Sequence, residues 1–395
     1  MAEDDEANSH HHGSHHGLLR SVSARDLPDH QPRSAGADAI IVPTVRHARQ
    51  LHTAISCAKK LGCALVVLCS KKASVGDAVR LARKADIELI AIDATQLPPG
   101  LLPTFNTSRF ALHDTRDTAT KRNVALLFAY LIGWQRIFFL DDDITLTEDS
   151  LAGAVAALDK HHVVGLHVDQ FPDNSVVCHA ARTLGWAQRT FMGGGALAVH
   201  VKSSERSFFP QVYNEDWFFL LGENELRPAA IRGEAIQAKY DPFANRQRAR
   251  YEEFGDTLAE GVFWLLDNGT NLTDANLKHW QRFSGDRRRF IKSLLIRSSQ
   301  AEDRARTRAL TAALERNNAI EVERYVGYLD AWRVDRDLWR DHLTARKSEF
   351  QNSAVQASSA SAAEKVLSEL GLMTQSQYLR RTGRSVRPSV VAALD

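Results

Sequence analysis

The sequence predicts an α/β fold, with a mostly parallel sheet flanked by helices over residues 37–270 and a C-terminal helical appendage after it. Short apolar runs alternate with amphipathic stretches from residue 37 onward. Strands that alternate with helices at this spacing form βαβ units and a parallel sheet. Beyond residue 269 the apolar runs give way to long, charge-rich stretches with helical spacing, and this change of pattern favours packed helices.

Three strand–helix units open the predicted sheet. Apolar runs predict strands at 39–43, 64–69 and 88–93, and amphipathic stretches predict helices at 51–62 and 75–84. No GxGxxG or GxxxxGK[ST] pattern follows these strands, which argues against a dinucleotide or P-loop site. Further elements are predicted as strands at 136–140, 163–168 and 196–199 and as helices at 150–158 and 250–267.

Composition and charge exclude several classes of protein. The 395 residues are 44% hydrophobic and 25% charged, as in an ordinary globular protein, and the net charge of +2 gives no case for nucleic-acid binding. No apolar run has the length of a transmembrane segment, and no signal-peptide pattern opens the chain. We therefore expect a cytoplasmic protein whose four cysteines are buried thiols.

The chain divides by composition into five segments. We expect a disordered His-rich tail over 1–36, the α/β domain over 37–270, the helical appendage over 271–350, a linker over 351–363 and a C-terminal tail over 364–395 that holds one short helix. The histidines of the first segment are excluded from the site, because short histidine tracts bind metals adventitiously.

Two features of the appendage carry an interpretation. Val322, Tyr325, Leu329 and Trp332 keep helical spacing, so this stripe is expected in the core or at an interface, for example that of a homodimer. The basic run at 287–289 is interpreted as a solvated helix face.

The strongest functional signal is the run from Arg136 to Ile144, an apolar strand that ends in Asp141, Asp142 and Asp143. A buried parallel strand delivers its C-terminal residues to the crevice where ligands of open α/β sheets bind. Three adjacent carboxylates repel one another unless a cation or hydrogen-bond donors hold them. Carboxylate oxygens suit Mg²⁺ or Mn²⁺, which in turn bind phosphate oxygens. A metal–diphosphate site is therefore predicted, and an ordinary acidic loop is the alternative.

Cations and glycines add to this signal. Lys121 and Arg122 lie in the first turn of a predicted helix, where they could bind an anion or be solvated charges. Gly193, Gly194 and Gly195 directly precede an apolar strand. Glycines let a backbone approach a ligand closely, although alone they would mark only a bend.

An acid pair opens the next predicted helix. Glu215 and Asp216 precede the aromatic run that starts at Trp217. Acids at a helix N-terminus often act as caps or as partners of the helix dipole, so the pair has a structural and a functional interpretation.

The three acids, the glycines and Asn214-Glu215-Asp216-Trp217 in this order resemble the pattern of GT-A glycosyltransferases. These are nucleotide-sugar-dependent enzymes related to the family that includes bacterial glucosyl-3-phosphoglycerate synthases. The resemblance covers roughly residues 37–267. It implies a Rossmann-like catalytic domain that uses Mg²⁺ or Mn²⁺ and transfers a sugar, a hexose by this likeness, from a nucleoside-diphosphate sugar to an acceptor hydroxyl.

The resemblance also implies roles for residues. Asp141 and Asp143 would bind the metal, and Glu215 or Asp216 would lie near the acceptor hydroxyl, with Asp216 as the base in an inverting enzyme. The glycine stretch would line the donor sugar and the acceptor. The residues expected at the donor nucleotide are Thr44, Arg46, Asp93, Lys121, Arg122, Asp141 and Asp142. One departure is that many relatives have a histidine metal ligand after the acid pair, whereas His279 and His342 lie in no recognisable motif.

Two other functions fit the sequence. Asp141 and Asp143 also match the DxDxT pattern of haloacid-dehalogenase-like phosphatases, and the segment 255–260 loosely resembles their later acidic motif. Three strand units precede Asp141, however, whereas that family usually places its nucleophile near the start of the chain. The third hypothesis is a non-catalytic scaffold that binds a nucleotide sugar, since a fold does not determine a function.

Overall fold

The computed structural model describes residues 15–21, 36–111, 117–169, 174–186, 191–357 and 359–381. Most of the histidine-rich tail, residues 113–116 of the polar stretch 113–117 and the chain end from 382 lie outside the described residues. The strands are β1 (Arg20–Ser21), β2 (Ala39–Thr44), β3 (Ala64–Cys69), β4 (Leu89–Asp93), β5 (Arg136–Leu140), β6 (Ile144–Leu146), β7 (Val163–Asp169), β8 (Ala196–His200), β9 (Ala229–Gln237) and β10 (Ser376–Leu379).

The helices surround this sheet and continue after it. They are α1 (His52–Leu61), α2 (Val75–Ala85), α3 (Thr118–Ile132), α4 (Glu148–Ala156), α5 (Val176–Thr183), α6 (Glu215–Leu220), α7 (Arg246–Asp267), α8 (Leu277–Gln300), α9 (Arg304–Asn318), α10 (Glu323–Asn352) and α11 (Ala362–Glu369). Short 3₁₀ turns occupy His16–Leu18, Ala48–Leu51, Asn106–Phe110, Ala157–Asp159, Lys202–Ser204, Leu272–Asp274 and Ala354–Ala357.

The structure confirms the predicted α/β class. The strands predicted at 39–43, 64–69 and 88–93 are present as β2, β3 and β4, and α1 ends where Gly62 takes a left-handed conformation with φ of 65°. The ten strands form one sheet in the order β1-β9-β7-β8-β5-β2-β3-β4-β10, with β6 paired to β9. Helices cover this sheet, and a helical region follows it.

The side of the sheet on which successive strands are added reverses next to β2. From β2 the chain adds β3 and β4 on one side and then returns to place β5 on the other side. All three pairings, β2 with β3, β3 with β4 and β2 with β5, are parallel. Open α/β sheets bind ligands outside the carboxyl ends of the strands at such a switch point, and Asp141 directly follows β5 there.

The sheet is mixed, and the parallel pairings hold only a narrow majority. Strand β8 lies antiparallel between β5 and β7, and β10 lies antiparallel on the edge strand β4. The direction of β8 depends on the path of the chain through the loops before it, which local periodicity does not encode. The short helix predicted near the C-terminus is present as α11, but β10 was not predicted.

Both faces of the central strands are buried. Ile137 and Phe139 belong to a core that includes α3 and α7, whereas Phe138 and Leu140 belong to a core that includes α1, α2 and α4. A strand that is buried on both faces is continuously apolar. This explains why β5 contains no polar residue between Arg136 and Asp141.

The C-terminal helices share the core of the sheet. Tyr325, Leu329 and Trp332, expected in a core or at an interface, are buried in the same core as α3 and α7. The interpretation of the basic run as a solvated face is wrong for Arg287, which has no exposed surface and pairs with Glu253, whereas Arg289 is 65% exposed. None of the helices within the described ranges is both long and apolar enough to cross a membrane.

Residues 15–21, although expected to be part of a disordered tail, contact the body of the protein. Strand β1 pairs in parallel with β9. The buried His15 ring lies against Phe191, Trp217 and Phe263, and its nitrogens face Glu260 at 3.2 Å and Asp267. Burial by itself lowers the pKa of His15, but the hydrogen bonds and charges of Asp267 and Glu260 outweigh it and raise the pKa to about 9.

This histidine makes the stability of the protein dependent on pH. Because its pKa is higher in the folded state, the stabilisation is complete below the unfolded value of about 6.5 and is lost as the pH rises through about 9. We expect the free energy of unfolding, measured with urea from pH 6 to 10, to fall by up to about 3 kcal/mol through this group.

The matched variants are His15→Gln, which removes the titration, and His47→Gln at an exposed position. His47→Gln should keep the wild-type loss of stability, and His15→Gln should lack it. Parallel pH profiles for wild type and His15→Gln would contradict the assignment.

Candidate functional site

The three carboxylates after β5 point to different partners. Asp142 is buried and accepts hydrogen bonds from Thr44 Oγ1 at 2.5 Å and from Arg46 Nη1. Thr44 ends β2 and Arg46 follows it, so the parallel pairing of β2 with β5 brings these side chains together. Thr44, Arg46 and Asp142, each expected at the donor nucleotide, are therefore in contact with one another at the switch point of the sheet.

Asp143 lies beside Asp142 but is more accessible. Its Oδ2 accepts from Arg46 Nη2 at 3.0 Å and faces Gln237 Nε2 at 3.5 Å. Burial and the charges of Asp141 and Asp142 raise the pKa of Asp143, and Arg46 offsets part of this effect. Arg46 itself has a side chain that is 46% exposed, so the carboxylate group is incompletely neutralised.

Asp141 is linked to the acid pair through Arg122. This buried arginine on α3 donates from Nη2 to Asp141 Oδ1 at 3.0 Å and from Nη1 to Glu215 Oε1 at 2.9 Å. The Phe209 ring lies 5.3 Å from the guanidinium carbon. A planar guanidinium donates two parallel sets of hydrogen bonds, and here it fixes the distance between the two acidic groups.

The glycines form the wall between these groups. Gly194 N donates to Asp216 Oδ2 at 2.6 Å, and Gly195 O accepts from Asp141 N at 2.8 Å. A Cβ at position 194 would lie 2.6 Å from Arg122 Nη1 and 2.9 Å from Asp216 Cβ. A side chain at this position would therefore overlap both groups.

Asp216 is held at both oxygens. Oδ2 accepts from Gly194 N, and Oδ1 accepts from Trp217 N at 2.9 Å, within the first turn of α6. Burial raises the pKa of Asp216, although Arg122 and the two backbone N–H donors lower it. A fixed carboxylate with a raised pKa is suited to accept a proton.

A cavity of about 260 Å³ borders Asp141 and the acid pair, whereas Thr44, Arg46, Asp142 and Asp143 are not among its lining residues. The side chains of Asp141, Glu215 and Asp216 line it together with Arg122 and the three glycines. Further lining residues, which the sequence did not single out, are Asn174, Tyr213, Gln237 and Arg248. Asn174 and Tyr213 lie in loops, and Gln237 and Arg248 lie near the ends of β9 and α7, so local periodicity does not locate them.

Lys121 and Asp93, both expected at the donor nucleotide, do not line the cavity. Lys121 is buried behind β2 and donates to Thr44 O at 2.8 Å and Ser70 Oγ at 2.7 Å. Burial lowers its pKa, and Asp117 raises it. Asp93 is the last residue of β4, two strands from β2, and its Oδ1 accepts from Thr95. Lys121 therefore braces the end of β2.

The carboxylates after β5 are of a type that could hold a hard divalent cation, since Mg²⁺ and Mn²⁺ prefer carboxylate oxygens. Burial and like charges raise the pKa of Asp143, and a bound cation would relieve this repulsion. The oxygens of Asp141, Asp142 and Asp143 are nevertheless not gathered within 4.8 Å of one another, and among the described residues only the buried group of Cys178, Asp256 and Glu260 meets that condition. Its carboxylates already bond to Arg287 and His15, so it does not indicate Mg²⁺ or Mn²⁺.

Comparison with known proteins gave no assignment. No family model matches this chain, and no curated protein matches it.

The close packing around Gly194 predicts that substitutions of Gly194 and Gly193 differ in their effect on the stability of the protein. Gly194→Ala forces Arg122 and Asp216 apart and should lower the free energy of unfolding by about 1–3 kcal/mol. Gly193→Ala is the control, because a Cβ there would lie at an ordinary 3.9 Å from Asp216 Oδ2. Urea unfolding of both variants measures this difference, and equal losses of stability would show that the wall is not closely packed.

Proposed function

We propose that this chain is a metal-dependent glycosyltransferase of GT-A type, which transfers a sugar from a nucleoside-diphosphate sugar to an acceptor hydroxyl. The observation that carries the proposal is the pairing of two acidic groups across one cavity. Asp141 belongs to the carboxylates at the switch point, Glu215 and Asp216 form the opposite group, and Arg122 connects them. A transfer reaction needs both groups, one at the leaving diphosphate and one at the acceptor.

The sheet supports the donor side of the proposal. Numbered from one to four along the chain, β2 to β5 lie in the spatial order 3-2-1-4. The 3-2-1-4-5-6 order of a doubly wound nucleotide-binding sheet begins in the same way. Thr44 and Arg46 at the end of β2 lie next to the carboxylates, where a nucleotide would bind.

The residues divide the chemistry between them. Asp141 and Asp143 would hold the cation, with Asp142 fixed by Thr44 and Arg46 behind them. When bound, a divalent cation acts as a Lewis acid on the diphosphate leaving group. Asp216 accepts the proton of the acceptor hydroxyl, because its two oxygens are fixed and burial raises its pKa. Glu215, paired with Arg122, orients the acceptor.

The phosphatase hypothesis finds less support. Its later acidic motif would come from the segment 255–260, but this segment lies in the middle of α7. Asp256 there is fully buried and bonds to Arg287 at 2.5 Å. An acid held in this way is poorly placed to act on a phosphate bound at Asp141.

Nucleotide binding tests the donor site. We expect one of UDP, GDP or CDP to raise the melting temperature in Mn²⁺ but not in EDTA, because a ligand that binds only the native state stabilises it. Asp143→Asn should abolish this shift. Asp149→Asn, at an exposed acid shortly after the cluster, should retain it. The absence of a metal-dependent shift with every nucleotide would refute the proposal.

The pH dependence of turnover tests the base. In wild type the acid limb of kcat should have an apparent pKa above the ordinary aspartate value, in the direction in which burial shifts Asp216. Asp216→Asn keeps the side-chain size and should bind the nucleotide normally, yet lose about 10²–10⁴-fold in kcat together with this limb. Turnover by Asp216→Asn at the wild-type rate would transfer the role of base to Glu215.

A further inference from the structure

The acid pair, Glu215 and Asp216, is held in place by Asn214, a neighbouring residue to which the proposed reaction assigns no chemical role. Asn214 directly precedes Glu215 and has a left-handed backbone, with φ of 62° and ψ of 37°. A residue at a helix N-cap usually bonds its side chain to the first turn, but the Asn214 side chain makes no such bond. Instead its Nδ2 donates to Asp256 Oδ1 at 3.2 Å, and its Oδ1 accepts from Asn174 Nδ2 at 2.7 Å.

Asp256 is itself held by the C-terminal helices. Arg287 on α8 donates from Nη2 to Asp256 Oδ2 at 2.5 Å and pairs with Glu253 through Nε and Nη2. Asn317 on α9 donates to Glu253 Oε1 at 2.9 Å. The side chains of Arg287, Glu253 and Asp256 have no exposed surface. Although Arg287 Nη1 has no hydrogen-bond partner, this buried network resists rearrangement, because removing one of its charged members leaves the remaining buried charge incompletely paired.

Backbone packing fixes the same segment independently. Gly255 on α7 lies against Tyr213, and a Cβ at position 255 would lie 2.7 Å from Tyr213 N and would also overlap the Tyr213 carbonyl oxygen. Helix α7 can therefore approach the residues before α6 closely only because position 255 is a glycine. The side-chain anchor at Asp256 and this contact adjoin each other in the sequence.

We infer that the C-terminal helices position the acid pair, through Arg287, Asp256 and Asn214, for transfer at the cavity. This inference rests on the proposed function for its chemistry. The anchor sets the direction in which α6 begins and hence where Glu215 and Asp216 meet the glycine wall and Arg122. Asp256 and Arg287 are positioning residues, since neither lines the cavity.

Two variants loosen the anchor without leaving a buried charge unpaired. Asn214→Gly tolerates the positive φ and removes the side-chain bonds, while Asp256 keeps Arg287. Gly255→Ala pushes the segment at Tyr213 away from α7. The control is Gly153→Ala on α4, where a Cβ would lie 2.8 Å from Arg232 Nε and would disturb packing against β9, away from the anchor.

The first measurement needs no activity. Hydrogen exchange of the amides of residues 215–221 should accelerate at least tenfold in Asn214→Gly and Gly255→Ala, and should stay at the wild-type rate in Gly153→Ala. Unchanged exchange in the two anchor variants, or equal acceleration in all three variants, would overturn the inference. This result does not depend on whether the protein transfers a sugar.

The second measurement uses the nucleotide sugar whose nucleoside diphosphate binds with Mn²⁺, with water as the acceptor. Release of the nucleoside diphosphate should show kcat reduced about 10²-fold in both anchor variants, because a displacement of about 1 Å costs that much. KM for the donor should stay within twofold of wild type, and Gly153→Ala should keep the wild-type kcat. Loss of kcat in Gly153→Ala to the same extent would make the effect structural and overturn the inference.

Hydrogen exchange and turnover test the inference and the proposed function separately. A wild-type protein that binds no nucleotide with metal refutes the proposed function, while hydrogen exchange still decides whether the anchor holds the acid pair. A protein that binds nucleotide and turns over, but whose anchor variants show wild-type exchange and kcat, retains the function and loses the inference.

Discussion

The structure of the site depends on the buried guanidinium of Arg122, which bonds to Asp141 on one side and Glu215 on the other. Removing this charge from water is costly unless carboxylates pair with it, and the carboxylates equally need the cation. Because α3 carries Arg122 between β5 and α6, the pairing joins three separate parts of the chain. The guanidinium of Arg122 and the glycine wall lie between Asp141 and the acid pair and keep these carboxylates apart, and the cavity is found at this place.

The acidic residues of this region form three clusters, and each cluster pairs with a different arginine. Arg46 faces Asp142 and Asp143, Arg122 faces Asp141 and Glu215, and Arg287 faces Asp256. The three arginines differ in exposure, since the side chain of Arg46 is 46% exposed whereas those of Arg122 and Arg287 are buried. An exposed pair is weak, so the carboxylates beside Arg46 have the weakest of the three arginine pairings.

The sequence predicted those features that local patterns determine. The alternation of β2, α1, β3 and α2 follows from periodicity, and the acids after β5 were recognisable because an apolar strand ends in them. The antiparallel β8, the edge strand β10 and the burial of Arg287 come from tertiary contacts between distant segments. The run of three arginines is the same sequence whether Arg287 faces Glu253 or water. The sequence alone therefore could not tell that Arg287 is buried and Arg289 exposed.

The position of Asn214 shows how a weak sequence signal becomes specific in the fold. Asparagine is one of the few residues that adopt a left-handed backbone readily, and here that backbone starts α6 while leaving the side chain free to bond to Asp256 rather than to the helix. The direction of α6 is therefore set by α7 and α8, and only secondarily by its own capping. A helical region outside the sheet thus becomes part of the geometry of the cavity, because the two acids that face it are carried by the first turn of a helix with only six residues.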